Sequence, residues 1–186
     1  MDILSSRIRV SETNTYGLGV FASSFIPKGE IVYNLDGHHV CLDEMINRVL
    51  DGDEAINDPL QIGMQEYIIL DFTSHSFNHN CSPNAIVCGK SDLISIRDIS
   101  IGDEVTFDYS LTIAPTDWRM ECKCGSPLCR GVASDVSTVP RAVLLEYFNA
   151  GLLQDYMREI LPNVIDGTYR IPQFEIDALK KLSEGR

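Results

Sequence analysis

Three cysteines crowd into one short run, Cys122-Lys-Cys124-Gly-Ser-Pro-Leu-Cys129. Thiolates this close together suit zinc, which takes four tetrahedral ligands when its role is structural. No histidine follows His79, so the fourth ligand must lie upstream; Cys81, set between polar neighbours with Pro83 just beyond, is the candidate. Four sulfur ligands leave no position for water, so metal-assisted hydrolysis is disfavoured and the ion acts as a clamp on segment 110–131. The spacing alone fits a redox or merely buried cluster equally well. Cys41 and Cys88 stand apart and are expected to be buried as small apolar side chains.

Cys81 belongs to a second stretch rich in chemistry, Ser76-Phe-Asn-His-Asn-Cys-Ser-Pro-Asn-Ala85, which has neither helical nor alternating apolar periodicity. It reads as a loop that must be positioned by its surroundings. Those surroundings read as short strands: "RIRVSE", "GVFASSF", "EIVYNL", "EYIILDF" and "EVTFDYS", with a hairpin over "NAIVCGKSDLISIRDI" turning at Gly89–Asp92. One helix interrupts them, where Leu42, Met45, Ile46, Val49 and Leu50 form one stripe and Gly52 is the stop. After residue 131 the spacing turns helical through Leu144, Leu145, Phe148, Leu152, Tyr156 and Ile160. A break is expected at Asn149–Gly151, an end at Pro162, and a last short helix in "PQFEIDALKKLSEG". The chain is therefore expected to be α+β, mainly β with a helical C-terminal tail that packs on the strands or on a second copy.

The 186 residues suffice for one domain, and no apolar run approaches the ~20 residues of a membrane span. The opening "MDILSSRIRV" has no secretion-signal pattern, which points to the cytoplasm or nucleus. Fifteen Lys plus Arg against 27 Asp plus Glu give a net charge of −12, which repels a phosphate backbone and attracts a basic partner. Direct nucleic-acid binding is accordingly not expected.

Five blocks in order, "YGLGVFA" (16–22), "PKGEIV" (27–32), "FNHNCSPN" (77–84), "GDEVTFDY" (102–109) and "CKCGSPLCRG" (122–131), resemble the signature of SET-domain protein lysine methyltransferases followed by a post-SET zinc motif. The resemblance implies a β-clip-like fold of small sheets with a knot-like core, in which the loop at 78–84 lies beneath the later "FDY" segment. It divides the chain into a SET domain (1–110), a post-SET zinc segment (111–131) and a helical extension (132–186). It also implies S-adenosylmethionine as cofactor, one structural zinc held by Cys81, Cys122, Cys124 and Cys129, and a basic lysine-containing protein substrate, a histone foremost.

By the same resemblance, the backbone at Tyr16, Gly17 and Leu18, with Gly19 permitting close approach, receives the cofactor's amino-acid end. Asn78 and His79 hold its amine and adenine, Lys123 lies against it, and Trp118 is a candidate cover for the adenine. Read alone, the glycines fit a plain turn, Asn78 and His79 fit a pair of bonded buried polar groups, and Trp118 fits an anchor of the linker to the core. Tyr109 matches the catalytic tyrosine and doubles as a cofactor contact. Phe107 stands where a tyrosine would hold a water in the lysine pocket, so its lack of a hydroxyl implies room for di- or trimethylated product. Two departures bear on substrate preference. Asn34-Leu35 replaces the usual Glu-Tyr, with Tyr33 or Tyr67 the candidates to supply the missing aromatic, and Ser76 replaces a basic residue before "FNH". These departures also admit a catalytically silent module that binds a peptide or partner, with the tail as an association surface for a homodimer.

Overall fold

The computed structural model describes residues 5–13, 17–52 and 59–184. Its strands in chain order are β1 (Ile8–Glu12), β2 (Leu18–Ala22), β3 (Ile31–Asn34), β4 (Gly37–Cys41), β5 (Leu60–Gln61), β6 (Glu66–Leu70), β7 (Asn78–His79), β8 (Ala85–Cys88), β9 (Asp92–Ser95), β10 (Thr106–Phe107), β11 (Met120–Glu121) and β12 (Val132–Ala133). The helices are α1 (Leu42–Asp51), α2 (Phe72–His75), α3 (Arg141–Ala150), α4 (Asp155–Ile165) and α5 (Gln173–Glu184). Frequent Gly, Pro and Asp punctuation keeps the strands short, so they assemble into small sheets. β1–β2, β3–β9–β8, β4–β6–β5 and β11–β12 are antiparallel, whereas β7 and β10 pair in parallel. This is the expected β-rich architecture with helices at the C-terminal end.

The strand pairs close on one core containing Val20, Ile26, Leu35, Ile68, Phe77, Leu93 and Ile99. β8 is buried on both faces: Ala85 and Val87 enter that core, while Ile86 and Cys88 enter a second one with Leu144, Leu153, Met157 and Leu161 of the tail. The period-2 alternation of a strand delivers successive side chains to opposite faces, and α3 and α4 cover the face the sheet leaves open. α5 packs Ala178 and Leu182 on Leu42, Met45 and Ile46 of α1.

Several expectations are corrected. The strand over "EVTFDYS" is only Thr106–Phe107, because the Asp108 carboxylate accepts the Ser110 N–H at 3.1 Å and turns the chain into a 3-10 turn at Tyr109–Thr112. Cys41 is exposed rather than buried, since its strand neighbour Val40 takes the inward position. Pro162 lies inside α4 rather than ending it. Its ring removes one N–H donor, but buried Leu161 and the packed Val164 and Ile165 hold the last turn in the second core. The strands at Gly37–Cys41 and Leu60–Gln61 were not expected, the first being masked by a glycine and two histidines in weak strand sequence.

Gln154 fastens the tail. Fully buried, it donates from Nε2 to the main-chain oxygens of Gln61 (3.0 Å) and Lys90 (2.7 Å), while Asp155 N–H bonds Gly89 O at 2.8 Å. Gln154→Leu strips two carbonyls of a buried donor and is expected to lower stability by about 2 kcal/mol, read from the urea midpoint.

Candidate active site

The parallel pairing of β7 with β10 lays Asn78 beside Thr106 and His79 beside Phe107, and Asn80 N–H continues it to Phe107 O at 3.0 Å. Asn84 locks the crossing by donating to Glu104 O (2.8 Å) and accepting from Thr106 N–H (2.9 Å). The non-periodic loop at 76–85 thus takes its shape from a distant segment, in the knot-like arrangement the resemblance implied.

Asn78 Nδ2 donates to Leu18 O (2.8 Å) and to Glu104 Oε1 (2.7 Å), which ties the Gly17-Leu18-Gly19 turn to the same crossing. Its Oδ1 accepts no hydrogen bond among the described residues. Gly17 has φ +80, a left-handed conformation that costs other residues strain. At Gly19 a Cβ would fall 2.5 Å from Glu104 Oε1 and 2.6 Å from Thr13 Cγ2, so any side chain there would have to displace them. Tyr16 lies outside the described residues.

His79 is buried, and both ring nitrogens are committed. Nδ1 accepts the Tyr109 N–H at 3.2 Å, which places the proton on Nε2, 3.3 Å from Cys81 Sγ. With that tautomer the 3.4 Å approach of Asp108 to Nδ1 is not a hydrogen bond. Burial depresses the His79 pKa, Asp108 opposes the shift and Arg130 adds to it, so the ring stays neutral. The Asp108 carboxylate is instead gripped by Arg130 through two bonds, Nη1 to Oδ2 (2.6 Å) and Nη2 to Oδ1 (2.7 Å), and Arg130 Nη2 also donates to Ser110 Oγ (2.8 Å). The Arg130 main-chain N–H points at Cys81 Sγ, 3.4 Å away. Arg130 and Asp108 were missed in the sequence. The signal available was their adjacency to Cys129 and Tyr109.

Cys81, Cys122, Cys124 and Cys129 converge, their sulfurs lying within 4.8 Å of one another. Cys122 Sγ lies 3.7 Å from Cys81 Sγ and 3.6 Å from Cys129 Sγ. A tetrahedral zinc with Zn–S bonds near 2.3 Å needs sulfur separations of about 3.8 Å, so the four residues fit the ion.

Three cavities run in series through these groups. One of about 370 Å³ has Thr13, Asn78, His79, Glu104, Lys123 and Cys124 in its wall. A second, of about 380 Å³, shares Asn78 and adds Leu18, Phe77, Phe107, Tyr109 and Trp118. A third, of about 450 Å³, shares Trp118, Ile113 and Met120 with the second. Tyr109 stands in the middle one: its hydroxyl donates to Phe77 O at 2.7 Å, and its ring centroid lies 4.8 Å from that of Phe107 and 5.3 Å from that of His79. Lys123 reaches the first cavity, with its ammonium 3.2 Å from Glu121, and Trp118 divides the second from the third. These two, both expected at the cofactor, therefore line different cavities. Tyr33 packs on Phe77 at 5.7 Å between ring centroids, and Tyr67 lines the third cavity, so neither fills the middle one.

Arg130→Ala leaves the Asp108 charge buried and unpaired, an expected loss of about 3 kcal/mol in urea unfolding. Asp108→Leu combined with Arg130→Met should recover most of it.

A family model of the SET domain matches residues 17–110, 94 of the 186 residues. The H3 lysine-4-specific histone-lysine N-methyltransferase of Schizosaccharomyces pombe is 30% identical over 138 residues, covering 67% of this chain and 15% of the relative. The H3 lysine-36-specific enzyme of Cryptococcus neoformans is 31% identical over 139 residues, covering 68% of this chain and 16% of its own length. The chain thus spans less than a fifth of either relative. Among solved structures, the methyltransferase domain of human SETMAR superposes with a TM-score of 0.58 at 22% identity, over 69% of this chain and 58% of that one. KRYPTONITE, solved with mCHG DNA and SAH, superposes with 0.54 at 21% identity, over 68% and 29%. Matched by the family model over half its length, with the family's fold, the chain belongs to the SET-domain family.

Proposed function

We propose that the chain is an S-adenosylmethionine-dependent protein-lysine N-methyltransferase that acts on a basic protein, a histone foremost, in the nucleus. The observation that carries this reading is the place of Tyr109, in the wall of a cavity joined at Asn78 to a polar space and at Trp118 to a largely apolar one. Such a passage admits two reactants from opposite ends.

S-adenosylmethionine, when bound, supplies a methyl group on a sulfonium to a neutral amine. The first and second cavities suit it. Asn78 Oδ1 offers an acceptor for its amine, and the glycines at 17 and 19 let its amino-acid end approach the main chain. Because the His79 ring is taken up by Tyr109 and Cys81, His79 contributes its main chain and the rigidity of its neighbours. Lys123 lies at the far end of the first cavity.

The lysine enters from the other side. A free ammonium has a pKa of ~10.4, and the apolar walls of Phe107, Leu18 and Ile113 disfavour that charge and favour loss of the proton. Tyr109 spends its hydroxyl proton on Phe77 O, so its oxygen can act toward a substrate only as an acceptor. It can accept an N–H of the amine and orient the amine's remaining lone pair, and can steady the polarised methyl by C–H···O contact. Rate enhancement then comes from alignment of the reacting atoms, which the crossing of β7 and β10 fixes. Phe107 brings no hydroxyl to this wall, which leaves room for an amine already bearing methyl groups. A net charge of −12 favours a basic substrate.

Zinc held by Cys81, Cys122, Cys124 and Cys129 would cross-link the loop at 81 to the segment carrying Arg130, in a structural role.

Transfer from methyl-labelled S-adenosylmethionine to core histones tests the proposal. Tyr109→Phe should lower turnover by roughly 100-fold while calorimetry still detects S-adenosylhomocysteine, and intact mass should show dimethyl or trimethyl product that Phe107→Tyr converts to monomethyl. Binding without transfer in the wild type would identify a silent module instead. Metal analysis should find one zinc per chain, with Cys81→Ser lowering both zinc affinity and the unfolding midpoint.

A further inference from the structure

The third cavity, between α1, α5 and segment 113–120, has a composition the transfer chemistry does not use. Tyr67 and Trp118 supply aromatic walls, Leu42, Ile46 and Leu182 an apolar floor, and Glu175 of α5 brings in a half-buried carboxylate. No ion pair reaches Glu175 among the described residues. Asp117 and Arg119, of opposite sign, also line the cavity, but both are exposed. Burial pushes the Glu175 carboxyl up to about 7, with the nearby Gln61 amide pulling it down. Gln61 is oriented by its oxygen, which accepts from Ala114 N–H at 3.1 Å. Its Nε2 is buried beside the Glu175 carboxylate. A carboxylate that no cation pairs among the described residues, with the Gln61 amide beside it, thus faces one aromatic-walled space.

We propose that this cavity receives an arginine side chain of the substrate, at a position flanking the lysine that enters the cavity of Tyr109. The guanidinium can stack on Trp118 or Tyr67 while its fork meets the Glu175 carboxylate. A lysine, as a compact strongly hydrated charge, matches flat aromatic walls less well. The shared wall of Trp118, Ile113 and Met120 places the arginine beside the target lysine on the same peptide. This inference deepens the lysine-transfer reading and rests on it for the identity of the peptide as substrate.

The test uses the zinc-loaded chain with S-adenosylhomocysteine and dye-labelled synthetic peptides that carry one central lysine in a Gly/Ala/Ser background, with one arginine placed at each flanking position in turn. One arginine position is expected to tighten binding about tenfold, roughly 1.4 kcal/mol, over its citrulline counterpart. That preference should fall below twofold in Glu175→Gln, and Glu175→Lys should favour glutamate at the same position. Because burial already disfavours the charged carboxyl, Glu175→Gln should unfold no earlier than the wild type at pH 8. An arginine preference that is absent, or unchanged in Glu175→Gln, overturns the assignment. Labelled methyl transfer to these peptides is scored separately. Transfer without Glu175 dependence sinks the arginine site alone, whereas Glu175-dependent arginine binding without transfer sinks the lysine-transfer reading and leaves the site standing.

Discussion

A carboxylate as buried as that of Asp108 must be paired, and Arg130 pairs it with a two-pronged grip. Much else depends on that contact. Asp108 starts the turn that presents Tyr109, while Arg130 follows the last cysteine and points its main-chain N–H at Cys81. The pair therefore joins the cysteine cluster to the turn that presents the candidate catalytic hydroxyl, and His79 lies between them, bonded to Tyr109 on one side and facing Cys81 on the other. Removing either charge would leave the other desolvated, so cluster and site stand or fall together.

The cores show a related economy. β8 serves two clusters at once, and the helical tail gains its place by covering the face of β8–β9 that the strands leave bare. Gln154 and Tyr156 reach back into that junction, Tyr156 O–H bonding Thr112 O at 2.6 Å at the end of the turn that carries Tyr109. The tail thereby buttresses the segment that carries the site.

How much of this was legible in the sequence varied with how local the cause was. The hairpin at 85–95, the stripe of α1 and the cysteine run at 122–129 could be read because periodicity, turn residues and ligand spacing are properties of neighbouring residues, and Cys81 followed only because the run lacked a fourth ligand. The short strand at Thr106–Phe107 could not, since its end is set by an Asx turn and its partner lies at Asn78–His79. Pro162 misled because the packing of Leu161, Val164 and Ile165 outweighs one lost hydrogen bond. Among the site residues, the glycines fit a left-handed turn at Gly17 and a crowded position at Gly19, but the division of Trp118 and Lys123 between separate cavities depends on how segment 113–124 crosses the sheets. The Arg130–Asp108 pair was hidden for a different reason. A single charge beside a motif resembles any solvated surface charge until its partner is found buried.

The parallel pairing of β7 with β10 also bears on when the molecule can come into being. A nascent chain can form β1–β2 and the β8–β9 hairpin from adjacent residues soon after they emerge, but the crossing at Asn78–His79 waits for Thr106–Phe107, and its buried carboxylate waits longer still for residue 130. Contacts so distant in sequence form late, because loop closure is spent before they return anything. Synthesis must therefore run past the cysteine cluster before the interior can lock, which leaves the half-made chain the form most in need of a chaperone.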